Sequence, residues 1–143
     1  MAHFAWDSDL ETGYEALDSQ HRCLFELANG IELAVEQHPE DTEVAVDAVY
    51  GLIDYVLEHF QNEEAIMARY HYPDADQHKA LHVQLGAETM TIAARCMSGE
   101  TPMPLELASF MRTWLYDHIR VQDMRLVAFI RHTDAAEREP VAV

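Results

Sequence analysis

Basic side chains are scarce in this chain: nine Lys and Arg, with Lys79 the only lysine, stand against 26 acids for a formal charge of −17. Such a surface repels a phosphate backbone and an anionic membrane alike, so nucleic acid and membrane are excluded as expected partners. Long apolar runs are missing too. No stretch reaches the roughly 18 residues of a membrane span, and Met1-Ala2-His3-Phe4 has neither the basic region nor the apolar core of a secretory leader. Cysteine is limited to Cys23 and Cys96, which form neither a disulfide framework nor a CxxC motif; reduced thiols and a cytoplasmic location are the expectation. Proline falls only at candidate turns and near the C-terminus, leaving long segments free to be helical.

Those segments carry helical periodicity, and no strand pattern competes with it. An arm over residues 1–17 leads into a first helix of about 18–37, with Leu24, Phe25, Ala28, Ile31 and Val35 on one face, stopped by His38-Pro39. A second helix of about 42–69 can be capped by Asp41 or Thr42 and ends before the turn His71-Tyr72-Pro73-Asp74. A third, about 75–97, stops at Ser98-Gly99, and a fourth, about 104–132, buries Leu107, Phe110, Met111, Trp114, Leu115 and Ile119. From Ala135 onward a frayed tail is expected. Four segments of this length joined by short loops predict an all-α, antiparallel up-down-up-down four-helix bundle with an N-terminal arm, a single domain over residues 1–143.

Histidine is abundant where lysine is scarce, with nine in the chain. His59 and Glu63 are four apart in the second helix, His78 and His82 four apart in the third, so each pair projects from one face. All four lie on the apolar stripes. His21 sits one turn before Leu24 and Phe25, and His118 continues the stripe of Met111, Trp114 and Leu115, so every helix aims at least one imidazole inward. One such histidine is ordinarily a hydrogen-bonded core residue. Five with a glutamate are different, because a buried unpaired carboxylate costs several kcal/mol and no Lys or Arg on these stripes compensates it. A metal cluster does.

Asp123 fits this set badly on an ideal helix, since the five residues from His118 rotate about 140°. Either the fourth helix widens near Ile119 to Gln122, as in a π-bulge, or the carboxylate reaches in sideways. Five neutral nitrogens and two carboxylates exceed one tetrahedral zinc and are too nitrogen-rich for calcium or magnesium. Two transition ions, with Glu63 and Asp123 as bridges, fit better, iron ahead of manganese and zinc. His3, His38, His71 and His132 lie off the stripes and read as surface residues, and Cys23 falls on the far side of its helix from His21.

Asp18-Ser19-Gln20-His21, His59-x3-Glu63, His78-x3-His82 and Trp114-x3-His118-x4-Asp123, with Trp6 in the arm and the Tyr72-Pro73 turn, resemble the hemerythrin family over about residues 6–130. The resemblance implies two non-haem iron ions with an oxo or hydroxo bridge. His78, His82 and His118 would bind one, His21 and His59 the other, and Glu63 and Asp123 both. The iron with two histidines would keep an open position for dioxygen. Reversible binding, not enzymatic turnover, is the implied function, for storage or for delivery to an oxygen-consuming enzyme. A carboxylate-rich, oxygen-activating bundle uses Glu-x-x-His pairs, which the constellation does not include. An oxygen- or redox-sensing domain of a longer signalling chain, and peroxidase, oxidase or nitric-oxide chemistry at the same irons, are the competing functions. Short loops and an acidic surface point to a monomer.

Overall fold

A computed structural model describes residues 6–98 and 103–138; His3 lies outside them. After a 3-10 turn at Ser8–Leu10 come α1 (Glu15–Gln37), α2 (Thr42–Arg69), α3 (Ala75–Met97), α4 (Met103–His118), a π-helical turn (Ile119–Asp123) and α5 (Met124–Arg138). Because α4, the π turn and α5 run on as one rod, the described residues form four rods with no strand, an antiparallel bundle in which α1 packs on α2 and α4, and α3 on the same two. No helix among the described residues is long and apolar enough to cross a membrane.

The rods end where their sequences require it. The His38 N–H still reaches the Ala34 carbonyl at 2.9 Å, but Pro39 has no N–H to continue. Asp41 then caps α2, its carboxylate accepting from the Glu43 N–H at 3.1 Å. At the other end of α2, His71 takes a left-handed φ of 52°. Its N–H bonds the Ala68 carbonyl and the Tyr72 N–H bonds Met67, a Schellman motif. That turn drops Tyr72 inward onto Met67, the apolar contact the motif favours, and sets its ring 5.3 Å from Phe129.

Two expected boundaries shift. The first helix begins at Glu15, not near Asp18, because the buried Asp18 carboxylate serves the arm instead of capping a helix. It accepts from the Thr12 N–H at 2.9 Å, the Thr12 hydroxyl at 2.6 Å and the Gly13 N–H at 3.0 Å. Gly13 has a φ of +90°, and the Arg131 guanidinium from α5 lies where a Cβ would sit. Only glycine satisfies both demands. The fourth rod continues past His132 to Arg138, through the start of the expected frayed tail, since Ala135, Ala136, Glu137 and Arg138 are good helix formers and no breaker intervenes.

Buried apolar side chains form two clusters. The larger includes Leu24, Phe25, Ala28, Ile31, Val49, Leu52, Val56, Phe60, Leu85, Leu107, Met111, Leu115 and Ile119. In that half Arg112 forms an ion pair with buried Glu32. The smaller comprises Leu17, Met67, Tyr72, Leu126, Val127 and Ile130. Between them in sequence register, on every rod, lie buried ionisable side chains.

Candidate metal centre

Each rod delivers its predicted residues to one place. His21, Glu63 and Asp123 are 0% exposed, His59 1%, and His78, His82 and His118 3%, too little for water to solvate them. His59 and Glu63 come from one face of α2, and His78 and His82 from one face of α3. His118 closes α4 and Asp123 closes the π turn. A π turn absorbs one extra residue, about 100°, so the 140° between His118 and Asp123 falls to about 40°. The widened helix, not a sideways reach, brings the carboxylate in.

Their donor atoms converge in two overlapping groups, Glu63 with His78, His82 and His118, and His21 and His59 with Glu63 and Asp123, all atoms of a group within 4.8 Å of one another. Each carboxylate divides its oxygens between the two groups. Glu63 Oε2 faces His59 Nε2 at 3.0 Å, while Oε1 contacts His78 Nε2 and lies 3.7 Å from His82 and 3.8 Å from His118. Asp123 Oδ2 lies 3.0 Å from His21 Nε2, and Oδ1 3.2 Å from both His78 and His118.

Much of this closeness is not hydrogen bonding. Both nitrogens of His21 and His82 and all four oxygens of Glu63 and Asp123 lack an aligned hydrogen-bond partner, which in a buried site calls for a cation or a proton. The His59 Nδ1–H donates to Gln20 Oε1 at 2.6 Å. In the neutral ring Nε2 is therefore bare, and it confronts a carboxylate oxygen, acceptor against acceptor. His78 Nε2 and His118 Nε2 meet at 3.0 Å, a contact in which a proton on one ring is donated to the other. At His59 a positive charge between nitrogen and carboxylate removes the repulsion.

Protons supply it when no metal does. Burial lowers the His78 and His118 pKa, but Asp123 and Glu63 outweigh it and push His78 up to about 9 and His118 up to about 10. Burial wins at His82, which is lowered. Burial raises both carboxylates, yet Asp123 and then the His118, His59 and His78 imidazoles hold Glu63 well below the usual carboxylate range, and His118 lowers Asp123 against both burial and the charge of Glu63. The residues therefore fit a pair of cations: nitrogen-rich, carboxylate-bridged, and short of positive charge.

Two aromatic rings wall the centre. Phe60 stacks on His82 at 4.0 Å and Trp114 on His118 at 4.2 Å, both nearly parallel. Of the other histidines, His38, His71 and His132 are exposed. Gln20, as the partner of His59, had no assigned role in the sequence; its place directly before His21 is the one signal that pointed to it.

Comparison with known proteins follows the same lines. The hemerythrin HHE cation binding domain profile matches residues 12–130. Bacteriohemerythrin of Pseudomonas aeruginosa is 33% identical over 133 residues, 93% of this chain and 85% of that protein. Bacteriohemerythrin of Methylococcus capsulatus is 31% identical over 121 residues, covering 83% and 90%. A wild-type hemerythrin crystal structure superposes with a TM-score of 0.77 at 28% identity, over 86% of this chain and 94% of that one.

Proposed function

The chain belongs to the hemerythrin family, and on that footing we propose that it binds dioxygen reversibly at a pair of iron ions, without enzymatic turnover. His78, His82 and His118 would hold one ion, His21 and His59 the other, and Glu63 and Asp123 would serve both. The observation that carries this is the division of each carboxylate's oxygens between the two histidine groups. When bound, the iron pair supplies the electrons that dioxygen takes up on binding and gives back on release.

The chain's own residues prepare that chemistry. Gln20 fixes the tautomer of His59, so that Nε2 is the free nitrogen facing the centre. Phe60 and Trp114 stack on ligating rings, holding their planes and excluding water from one side. Two carboxylates against five imidazoles leave the pair less anionic than in the carboxylate-rich bundles that activate oxygen, which favours uptake and release over oxidation of a substrate. We extend the proposal to a single-domain monomer that stores oxygen or passes it to an oxygen-consuming enzyme.

Reconstitution with ferrous ion under exclusion of oxygen, followed by metal analysis and visible spectroscopy, tests the reading. A pair of irons per chain and a charge-transfer band that appears with oxygen and vanishes on its removal are expected. Zinc alone, or irreversible oxidation with steady turnover, contradicts it. Glu63→Ala, which removes a ligand from both groups, should lose iron; full retention would overturn the bridging role.

A further inference from the structure

Seven side chains no more than 3% exposed present a problem of access: an ion must reach them through a folded bundle. A cleft of about 100 Å³ beside α3 and the π turn is lined by His78 with Tyr72, Asp74, Gln77, Leu81, Gln122 and Arg125. Leu81 apart, its lining suits a hydrated cation. The Asp74 carboxylate and the oxygens of Gln77, Gln122 and Tyr72 are hard donors of the kind that replace water around a divalent ion. Phe60 and Trp114, on the rings of His82 and His118, give that side of the centre an apolar character that suits a gas but strips an ion of its hydration without return.

Building on the metal-holding reading of the seven side chains, we propose that this cleft is a transient divalent-cation site and the route by which the metal reaches the centre and leaves it. Asp74 receives the ion at the mouth and His78 takes it at the floor. Arg125 guards the mouth: its guanidinium lies 3.4 Å from Asp74, in a pair 65% and 42% exposed and so weakly held. Arg125 and the N-terminus of α3 oppose a cation, while behind His78 the Glu63 and Asp123 carboxylates offer it oxygen donors, the ion taking the place of the imidazole protons. Displacing Arg125 from Asp74 is the step that lets the ion pass.

Asp74 makes no cap hydrogen bond to α3, so Asp74→Asn removes its charge without uncapping the helix. Metal-free protein is mixed with ferrous ion without oxygen, and arrival is timed by separating protein from free ion at intervals and measuring its iron content; release is timed with an external chelator. Asp74→Asn should load about tenfold more slowly. Arg125→Gln should both load and release faster, and Gln77→Trp, which fills the cleft, should slow both. Asp47→Asn, exposed on α2 about 24 Å from Glu63 along the helix, is the charge-matched control. Slow loading that still reaches full metal content in Asp74→Asn and Gln77→Trp supports the route. Rates equal to the control in all three variants overturn it while leaving the metal centre standing. Failure of the unaltered protein to take up metal overturns both.

Discussion

The two apolar cores of this bundle differ in how they are made. The larger follows helical periodicity on all four rods, from Leu24 to Ile31, Val49 to Phe60, Leu85 to Cys96 and Leu107 to Ile119. The smaller depends on departures from regularity: the Schellman turn that inserts Tyr72 and the π turn that rotates Leu126, Val127 and Ile130 inward, beside the Asp18 lock on the arm. Half of the molecule is a generic bundle. The other half is built around the geometry that Asp123 needs, and the ionisable layer lies where they join.

Shifting the phase of the rod at the π turn should have the largest effect. Inserting one alanine beside exposed Val121 would turn everything beyond it by about 100°. Asp123 would leave the centre and the smaller core would lose the faces of α5. Loss of metal binding and a destabilisation of about 5 kcal/mol or more are expected in calorimetry; a variant that keeps its metal and melts near the parent would erase the distinction between the halves.

Leu52→Ala and Leu126→Ala probe the cores singly. Both side chains are fully buried, and each truncation should cost about 3 kcal/mol in denaturant unfolding of the metal-free protein. Only Leu126→Ala, beside the π turn, should also hasten release of iron to a chelator. Equal release from both would make the cores interchangeable.

Acidity should act on the junction in opposite senses with and without metal. In the metal-free protein His78 and His118 have folded pKa values of about 9 and about 10, above an unfolded value near 6.5. Their protonation stabilises the fold fully below the unfolded value, and that contribution fades as pH rises through about 9 to 10. The metal-free melting temperature should therefore fall from neutral to alkaline pH. In the loaded protein ligating imidazoles must be neutral, so metal should be lost as pH falls. A metal-free melting temperature that rises over the alkaline range would contradict the assignment of those protons.

The smallest effect lies at His71, whose positive φ costs a non-glycine residue about 1 kcal/mol. His71→Gly should raise stability by up to that amount. A loss would mean that the imidazole makes a contact worth more than the strain.

What could be read from the sequence divides along the same line. Spacing placed His21, His59, Glu63, His78, His82 and His118 on inner faces because regular helices convert three-and-four spacing directly into direction. Asp123 is out of phase, a mismatch that left a widened turn and a sideways reach both open until the π turn decided between them. The inward faces of Leu126, Val127 and Ile130 are not legible in this way, since their phase refers to the rod beyond the π turn and cannot be continued from Leu107 and Met111. Asp18 looked like a helix start because Asp caps helices, but three donors from Thr12 and Gly13 compete for its carboxylate. Such partners are set by a loop's course, which periodicity does not describe.

One contact remains, where the Arg131 guanidinium from the last helix lies over Gly13 of the arm. Chains ordinarily begin to unravel at their ends. Here the arm at Gly13 and the final helix are laid across each other, so neither can peel away without releasing the other, and local opening of the two should be one event.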